Sequence, residues 1–393
     1  MTEILDPDYF REEINDQIQI FQRLTDRVKK IPFEVLPCFD EIWFTGSGDS
    51  HCASLFGASL FNQLGISTRA FTPMELSNFF SYPDNKKIIL IAISVSGKTP
   101  RVLEVMKKFK KKYPDGGIIA LTDNKKSPIY QEANFPILIE ASPQQFLNKS
   151  EYNDPDAKQY TGYHHNIAQT KTYFANIIAI IFIAWALKKE EITQNKIFHI
   201  LKERLTKWIN IAEKIVQKNL LSYPQKTIFV GSGLFYSLAQ FGQYKWFEFT
   251  FPGHSQDIEE YAHTHYFTTE EKTSVVFFAF PGKHLQRINE LLEGALVRKI
   301  KPEIILVCEA NDALTIHSEN LKQIQILIIN ESLPEIWKEI IYYIESLVVI
   351  EWLTYHTARN NGLNTNIFRG GKDVEKYVSG SLHTIRKSKI SID

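Results

Sequence analysis

Residues 87–100 read KIILIAISVSGKTP: the unbroken apolar run Ile88–Ile93 passes directly into Ser94, Val95, Ser96, Gly97, Lys98 and Thr99 and then into Pro100. A short continuous apolar run bounded by turn residues is the mark of a strand buried on both faces, as in a parallel sheet. Thr99 and Pro100 suit a helix N-cap and first helical position, and RVLEVMKKFKKK (101–112) continues with helical periodicity. The stretch predicts strand, tight loop and helix, the repeating element of a parallel α/β layer.

The same order of residues recurs further along the chain. KIILIAISVSGKT (87–99) is matched by TSVVFFAFPGKH (273–284), EIWFTGSGDS (41–50) by KTIFVGSGLF (226–235), and GGIIALTDN (116–124) by PEIILVCEA (302–310). Gly46 and Gly231, Gly97 and Gly282, and Leu121 and Leu306 are each separated by 185 positions. Three matches at one offset indicate an internal duplication. The intervening LQRINELLEGALVRK (285–299) is again helical in period. The expectation is an α/β fold twice over, each copy a parallel sheet flanked by helices in three layers. The domains expected are an N-terminal amphipathic helix (1–30) packing on the first copy, a first domain (31–199), a second (200–355) and a polar tail (356–393). Residues 151–160 and 200–225 carry the connection between the copies.

A chain of 393 residues has room for two or three domains. Lys plus Arg and Asp plus Glu are 45 each, so nothing in the overall charge attracts nucleic acid or an anionic membrane, and any anion site must be local. Cys38, Cys52 and Cys308 show no paired spacing, which argues against a disulfide framework or a cysteine zinc site and for a reducing compartment. MTEILDPDYFREE (1–13) is acidic where a secretory signal is basic, and a cytoplasmic location is expected. The apolar run Tyr173–Leu187 contains Asn176 and falls short of the ~20 residues that span a bilayer, so it reads as a buried helix.

The loop at 94–99 brings three hydroxyls and backbone N–H groups to a helix N-terminus, where the dipole also favours an anion. This is the chemistry of a phosphate cradle. The competing reading is ordinary helix capping, but the matching loop Phe280–His284 has lost all the hydroxyls, and capping alone does not call for three in one copy. A P-loop would require glycine at position 92, where Ala92 stands. Gly46-Ser47-Gly48 opens like a dinucleotide fingerprint, but His51 occupies its third glycine position.

These motifs, GSGDS, SVSGKT, LTDN and QTKT (169–172), resemble a sugar isomerase (SIS) domain, and the tandem arrangement from about residue 30 onward resembles the isomerase part of glucosamine-6-phosphate synthase. The resemblance implies that Ser94, Val95, Ser96, Gly97 and Thr99 hold a sugar phosphate, with Ser47 and Gln169 as further substrate contacts. In the second copy Lys245 and Glu248 share one helical face, and the aromatic residues Tyr244, Trp246, Phe247, Phe249 and Phe251 around them favour a partly buried pair over a solvent-facing one. In the resembled family the corresponding Glu moves a proton between the first two sugar carbons. Glu260-Tyr261-Ala262-His263 is similar to the segment whose histidine assists ring opening, with His265 as competitor, and Lys376 matches the lysine that forms an imine with the open-chain sugar. A metal held by His263 and His265 with His164 and His165 lacks a ligand set of known spacing.

Departures from the resembled family shape the expected activity. The chain starts at Met1-Thr2-Glu3 without the catalytic cysteine of a glutaminase domain, so glutamine is not expected to be its nitrogen donor unaided. Tyr163-His164-His165 replaces Gly-Pro-Glu, and Gln169 replaces a serine. The expected activity is an aldose–ketose isomerase-type reaction on a phosphorylated amino sugar or sugar-amine adduct, a deaminase or deglycase. It needs no metal or organic cofactor, and the resemblance implies a homodimer with shared active sites. The alternatives are a phosphoglucose or phosphomannose isomerase and a non-catalytic sugar-phosphate sensor.

Overall fold

The apolar runs that opened the sequence reading form strands, each short enough to be buried along its whole length. In the computed structural model, which describes residues 8–28, 39–139, 141, 169–188, 191–309, 318–330, 332–373, 376–377 and 380–390, they make two five-stranded sheets. The first contains β1 (Glu41–Thr45), β2 (Thr68–Phe71), β3 (Ile88–Ile93), β4 (Gly117–Thr122) and β5 (Phe135–Leu138), all parallel, in the order β2-β1-β3-β4-β5. The second contains β6 (Thr227–Val230), β7 (Gly253–Gln256), β8 (Ser274–Phe278), β9 (Glu303–Glu309) and β10 (Leu321–Ile326), again all parallel, in the order β10-β9-β8-β6-β7. The two orders are the same topology, and every residue of β1, β3, β4, β6 and β8 is buried. The duplicated α/β architecture expected from the sequence is therefore present.

The duplication extends to individual contacts. The helices Asp49–Gln63 and Leu234–Glu248 begin and end 185 residues apart, and both follow a glycine in a left-handed conformation, Gly48 at φ 59° and Gly233 at φ 60°. Halfway along, Gly57 lets its helix approach the Phe44 ring so closely that a Cβ would lie 2.6 Å from it. Gly242 does the same against Phe229, at 3.0 Å. These helix–strand contacts set how closely each helix packs on its sheet.

The chain divides into two compact units that differ at their edges from the expected domains. One comprises Met1–Ile14 and His199–Thr365, around the second sheet; the other comprises Asn15–Phe198 and Asn366–Asp393, around the first. The N-terminal segment, expected as one helix, is two, Tyr9–Asn15 and Gln17–Val28, assigned to different units. Arg11 pairs with Glu213 at 2.9 Å, which draws the first of these toward the second sheet's unit rather than the first's. The second domain was expected to end at 355, but the helix Glu335–Asn360 runs across that boundary, its residues staying buried as far as Ala358.

The helical period read across residues 285–299 is interrupted. Lys283–Leu291 is an α-helix, and it passes into a wider turn kinked at Gly294. The apolar helix Lys171–Lys188 is long and apolar enough to cross a membrane, yet Lys171–Trp185 are all buried within the protein, as in a core helix. In the first sheet Trp43 is surrounded by Phe71, Phe80, Tyr82, Phe109 and Tyr113 at centroid separations of 5.2–6.3 Å, all edge-on. Edge-to-face contacts of this kind add to the apolar burial.

Candidate active site

In an open parallel sheet, ligands bind outside the carboxyl ends of the strands where the strand order reverses. In the first sheet that point lies between β1 and β3, which pair directly from Glu41 with Ile88 to Thr45 with Ala92. The loops leaving these two strands carry Ser47 and Ser94–Thr99. Ser47 is exposed, Ser94 is buried and Val95, Ser96 and Thr99 are half-buried.

The loop is held by the LTDN segment that ends β4. Ser94 N–H donates to the Leu121 carbonyl at 3.0 Å, and the Val95 carbonyl accepts from Asp123 N–H at 2.9 Å and from the Thr122 hydroxyl at 3.1 Å. The Asn124 amide donates to the Ser96 carbonyl at 3.4 Å. Gly97 turns at φ 64° against Ser127 and Thr122, where a Cβ would lie 2.0 Å from the Ser127 Oγ. Thr122, Asp123 and Asn124 are thus functional in shaping the loop. The sequence signal for them was the third repeat motif, to which no role had been assigned.

Thr99 is the N-cap and Pro100 the first helical residue, as expected, but the Thr99 side chain makes no capping bond. Its Oγ1 lies 2.9 Å from the Ser94 Oγ instead. The capping reading is therefore overturned for Thr99. Ser96 Oγ accepts from Lys98 N–H at a long 3.3 Å. Hydroxyls gathered at a helix N-terminus and spared from capping it are suited to donate to an anion.

In the other unit the candidate pair stands at the end of the helix that follows the second Gly-Ser-Gly. Lys245 and Glu248 close the helix Leu234–Glu248, and the Lys245 side chain is completely buried while that of Glu248 is 21% exposed. Lys245 Nζ donates to both Glu248 carboxylate oxygens at 2.8 Å and lies 5.2 Å from the Phe241 ring centroid. This settles the pair as partly buried rather than solvent-facing. Two residues beyond Glu248, Thr250 adopts φ 66°, a left-handed conformation that strains a β-branched residue, and its N–H bonds the Phe247 carbonyl at 3.0 Å. The offset of 185 places Gln63 opposite Glu248 and Leu60 opposite Lys245, so only one copy carries the pair.

The remaining candidates fall into separate clusters. His263 ends the helix Ile258–His263, which Asp257 caps by accepting from the Glu259 and Glu260 N–H groups. Its side chain is 68% exposed, with Nε2 3.1 Å from Glu259 Oε1, and Glu259 also pairs with Arg287. His265 is less exposed and its ring lies 5.2 Å from that of His254; burial, aided by His254, holds its imidazole below the usual range. Lys376 is exposed with Nζ 5.0 Å from the Tyr377 ring, which also receives the Arg369 guanidinium at 3.9 Å. Gln169 is half-buried immediately before the helix Lys171–Lys188, whose first residue, Lys171, is buried and paired with Asp16 at 3.2 Å. Lys171 sits within the QTKT motif, but its burial was not read from the sequence. Among the described residues no group of three or more His, Cys, Asp or Glu side chains could hold a metal, and His164 and His165 lie outside the described residues.

Comparison with known proteins agrees with this fold. Residues 36–152 match the SIS domain family. Over 358 residues, 90% of the chain, it is 23% identical to glutamine–fructose-6-phosphate aminotransferase (isomerizing) of Sulfolobus acidocaldarius, covering 52% of that protein. The chain spans about half the length, or less, of the curated relatives it matches. The fold is that of the C-terminal domain of glucosamine-fructose-6-phosphate aminotransferase from Francisella tularensis, with TM-score 0.72, 15% identity and coverage of 90% of this chain and 96% of that one. It is also that of glucosamine-6-phosphate deaminase from Thermotoga maritima, with TM-score 0.65, 18% identity and coverage of 90% and 95%. The chain therefore carries an SIS domain in residues 36–152 and is homologous, over nine-tenths of its length, to the isomerase part of glutamine–fructose-6-phosphate aminotransferase.

Proposed function

We propose that this protein is an aldose–ketose isomerase-type enzyme acting on a phosphorylated amino sugar or sugar-amine adduct, and that it releases the amine. The observation that carries the reading is Glu248, a partly buried carboxylate held by both oxygens on the fully buried Lys245. A carboxylate fixed in this way is oriented to take a proton and to give it back to a neighbouring atom. The hydroxyls of Ser94, Ser96 and Thr99 are assigned to the phosphate, with Ser47 and Gln169 as further substrate contacts. His263 assists ring opening, and Lys376 forms an imine with the open chain or stabilises its charge. Named relatives and neighbours that act on hexose phosphates and amino-sugar phosphates support this substrate class.

In the proposed reaction Glu248 removes the proton from the carbon bearing the amine, beside the open-chain carbonyl. The electron pair forms an enolamine, and the proton returns to the former carbonyl carbon. The amine-bearing carbon is then an imine, and water hydrolyses it to a carbonyl, a ketone from a 2-amino aldose or an aldehyde from a 1-amino ketose adduct, with release of ammonia or an amine. No electrons leave the substrate, so the sequence is balanced by water alone. A plain aldose–ketose isomerase shares the first half and stops at the exchange of hydrogen between carbons.

The test is proton exchange in heavy water. Wild-type protein should wash deuterium into the carbon beside the carbonyl of a hexosamine 6-phosphate, and ammonia assay should detect release of the amine. Glu248→Gln preserves shape but cannot accept a proton, and it should abolish exchange. Ser96→Ala and Thr99→Val should each weaken sugar-phosphate affinity by roughly tenfold or more, the value of a hydrogen bond to a charged group. Full exchange by Glu248→Gln would reassign the base. Tight binding of the sugar phosphate with no exchange in wild type would make the protein a sensor.

A further inference from the structure

Away from the residues assigned above, the unit around the second sheet contains a polar cavity of about 610 Å³. Three helices far apart in sequence form it: Tyr9–Asn15 contributes Arg11, Glu191–Lys218 contributes Gln217, and Glu335–Asn360 contributes Tyr355, His356, Arg359 and Asn360. The volume is that of a small-molecule site. Among the described residues that line it, Asp8 supplies a carboxylate and accepts a hydrogen bond from the Tyr355 hydroxyl.

The Arg11 guanidinium of this wall is held by the packing beneath it, where the buried Glu213 offsets its charge. Arg11 is fixed by Glu213 at 2.9 Å and lies 5.5 Å from the Trp352 ring centroid. His356 is buried, with Nε2 3.3 Å from Glu213 Oε1 and 3.4 Å from the Gln217 amide nitrogen. Burial, together with the Arg11 and Arg359 charges, pushes its imidazole down to about 4, so it stays neutral at pH 7 and can accept or donate a hydrogen bond. Two guanidinium groups, an imidazole and two side-chain amides on one concave wall match a small anion that carries hydroxyl groups.

We propose that this cavity is a second ligand site, for a small hydroxylated anion such as a phosphate monoester, and that its occupancy biases the helix end bearing Glu248. The connection is short. Phe10, between Asp8 and Arg11 in sequence, packs its ring 6.0 Å from that of Tyr355 and 5.8 Å from that of Phe249, the residue after Glu248. Binding at the cavity stands on its own geometry; the coupling rests on the assignment of Glu248 as the base.

Calorimetry of the full chain with inorganic phosphate tests the site directly. Wild type should titrate two classes of site, and Thr99→Val should lose one and keep the other. Arg359→Gln should weaken the retained class at least tenfold, and Gln217→Ala, on an exposed side chain, should weaken it several-fold without loss of folding. One phosphate per chain that Thr99→Val removes would overturn the site, as would an Arg359→Gln titration indistinguishable from wild type. For the coupling, deuterium exchange is measured with the sugar phosphate saturating. Added inorganic phosphate should alter the rate in wild type and leave it unchanged in Arg359→Gln. Phosphate binding at the cavity with no effect on exchange would refute the coupling alone, whereas absence of exchange in wild type would tell against Glu248 and leave the calorimetric result standing.

Discussion

Gly97 and Gly282 occupy equivalent places in the two copies, and replacing each with alanine should have very different consequences. Both have positive φ, 64° and 93°, a backbone region that L-residues rarely adopt, so each substitution carries a strain of about 1–3 kcal/mol. At Gly282 nothing lies within 4 Å of the added Cβ. At Gly97 the Cβ would lie 2.0 Å from Ser127 Oγ, 2.3 Å from Ser127 Cβ and 2.7 Å from Thr122 Oγ1. Ser127 cannot simply swing aside, because its Oγ caps the helix Pro128–Glu132 by accepting from Tyr130 N–H. Overpacking adds about 1–3 kcal/mol and the lost cap about 1 kcal/mol, so Gly97→Ala should be about 3 kcal/mol the worse of the two. At about 2–4 °C per kcal/mol for a unit of this size, the melting transitions should separate by roughly 6–12 °C. Scanning calorimetry of both variants, with phosphate titrations at a temperature where both are folded, checks the size and the site. Gly97→Ala should also lose phosphate affinity, since the loop must open to admit the methyl group. Equal melting shifts for the two variants would refute the reasoning, because the left-handed cost alone would then account for both.

Two further expectations concern stability. Burial raises the Glu345 carboxyl to about 7 despite its bonds to Arg204 at 2.8 and 2.9 Å, so between the ordinary carboxyl range and pH 7 the folded chain binds a proton that the unfolded chain does not. Stability from this group falls as pH rises through that window, by about 3 kcal/mol at 1.36 kcal/mol per unit, and Glu345→Gln should flatten that part of a pH series of urea midpoints; an unchanged slope would rule this source out. Thr250→Gly should raise the melting temperature, by the equivalent of about 1 kcal/mol, because glycine is the favoured residue at a left-handed helix end; a lower melting temperature would show that the Thr250 side chain makes contacts worth more than its strain.

The sequence alone determined the duplication, the parallel strands and the uneven distribution of candidate residues between the copies. Each is written in local pattern: unbroken apolar runs, glycines spaced by 185, hydroxyls present in Ser94–Thr99 and absent from Phe280–His284, and a Lys-x-x-Glu on the helix after the second Gly-Ser-Gly but not on the helix after the first. Such features need no distant partner to be recognised, since strand burial and helix capping follow from a few consecutive residues. Only the tertiary structure decided what each side chain meets. Thr99 could cap its helix, and turns to Ser94 instead; Gly97 is required by Ser127, thirty positions along, and Lys171 lies buried against Asp16. The sequence favoured His263 with His265 as competitor, and packing leaves the first mostly exposed and sets the second beside His254. The cavity lined by Arg11 and Arg359 joins helices separated by more than 300 residues, and the two N-terminal helices were assigned to different units by contacts of the same long range. Periodicity specifies which face of an element is apolar, but the partner on that face is chosen by packing the whole chain, where shape and charge at remote positions decide.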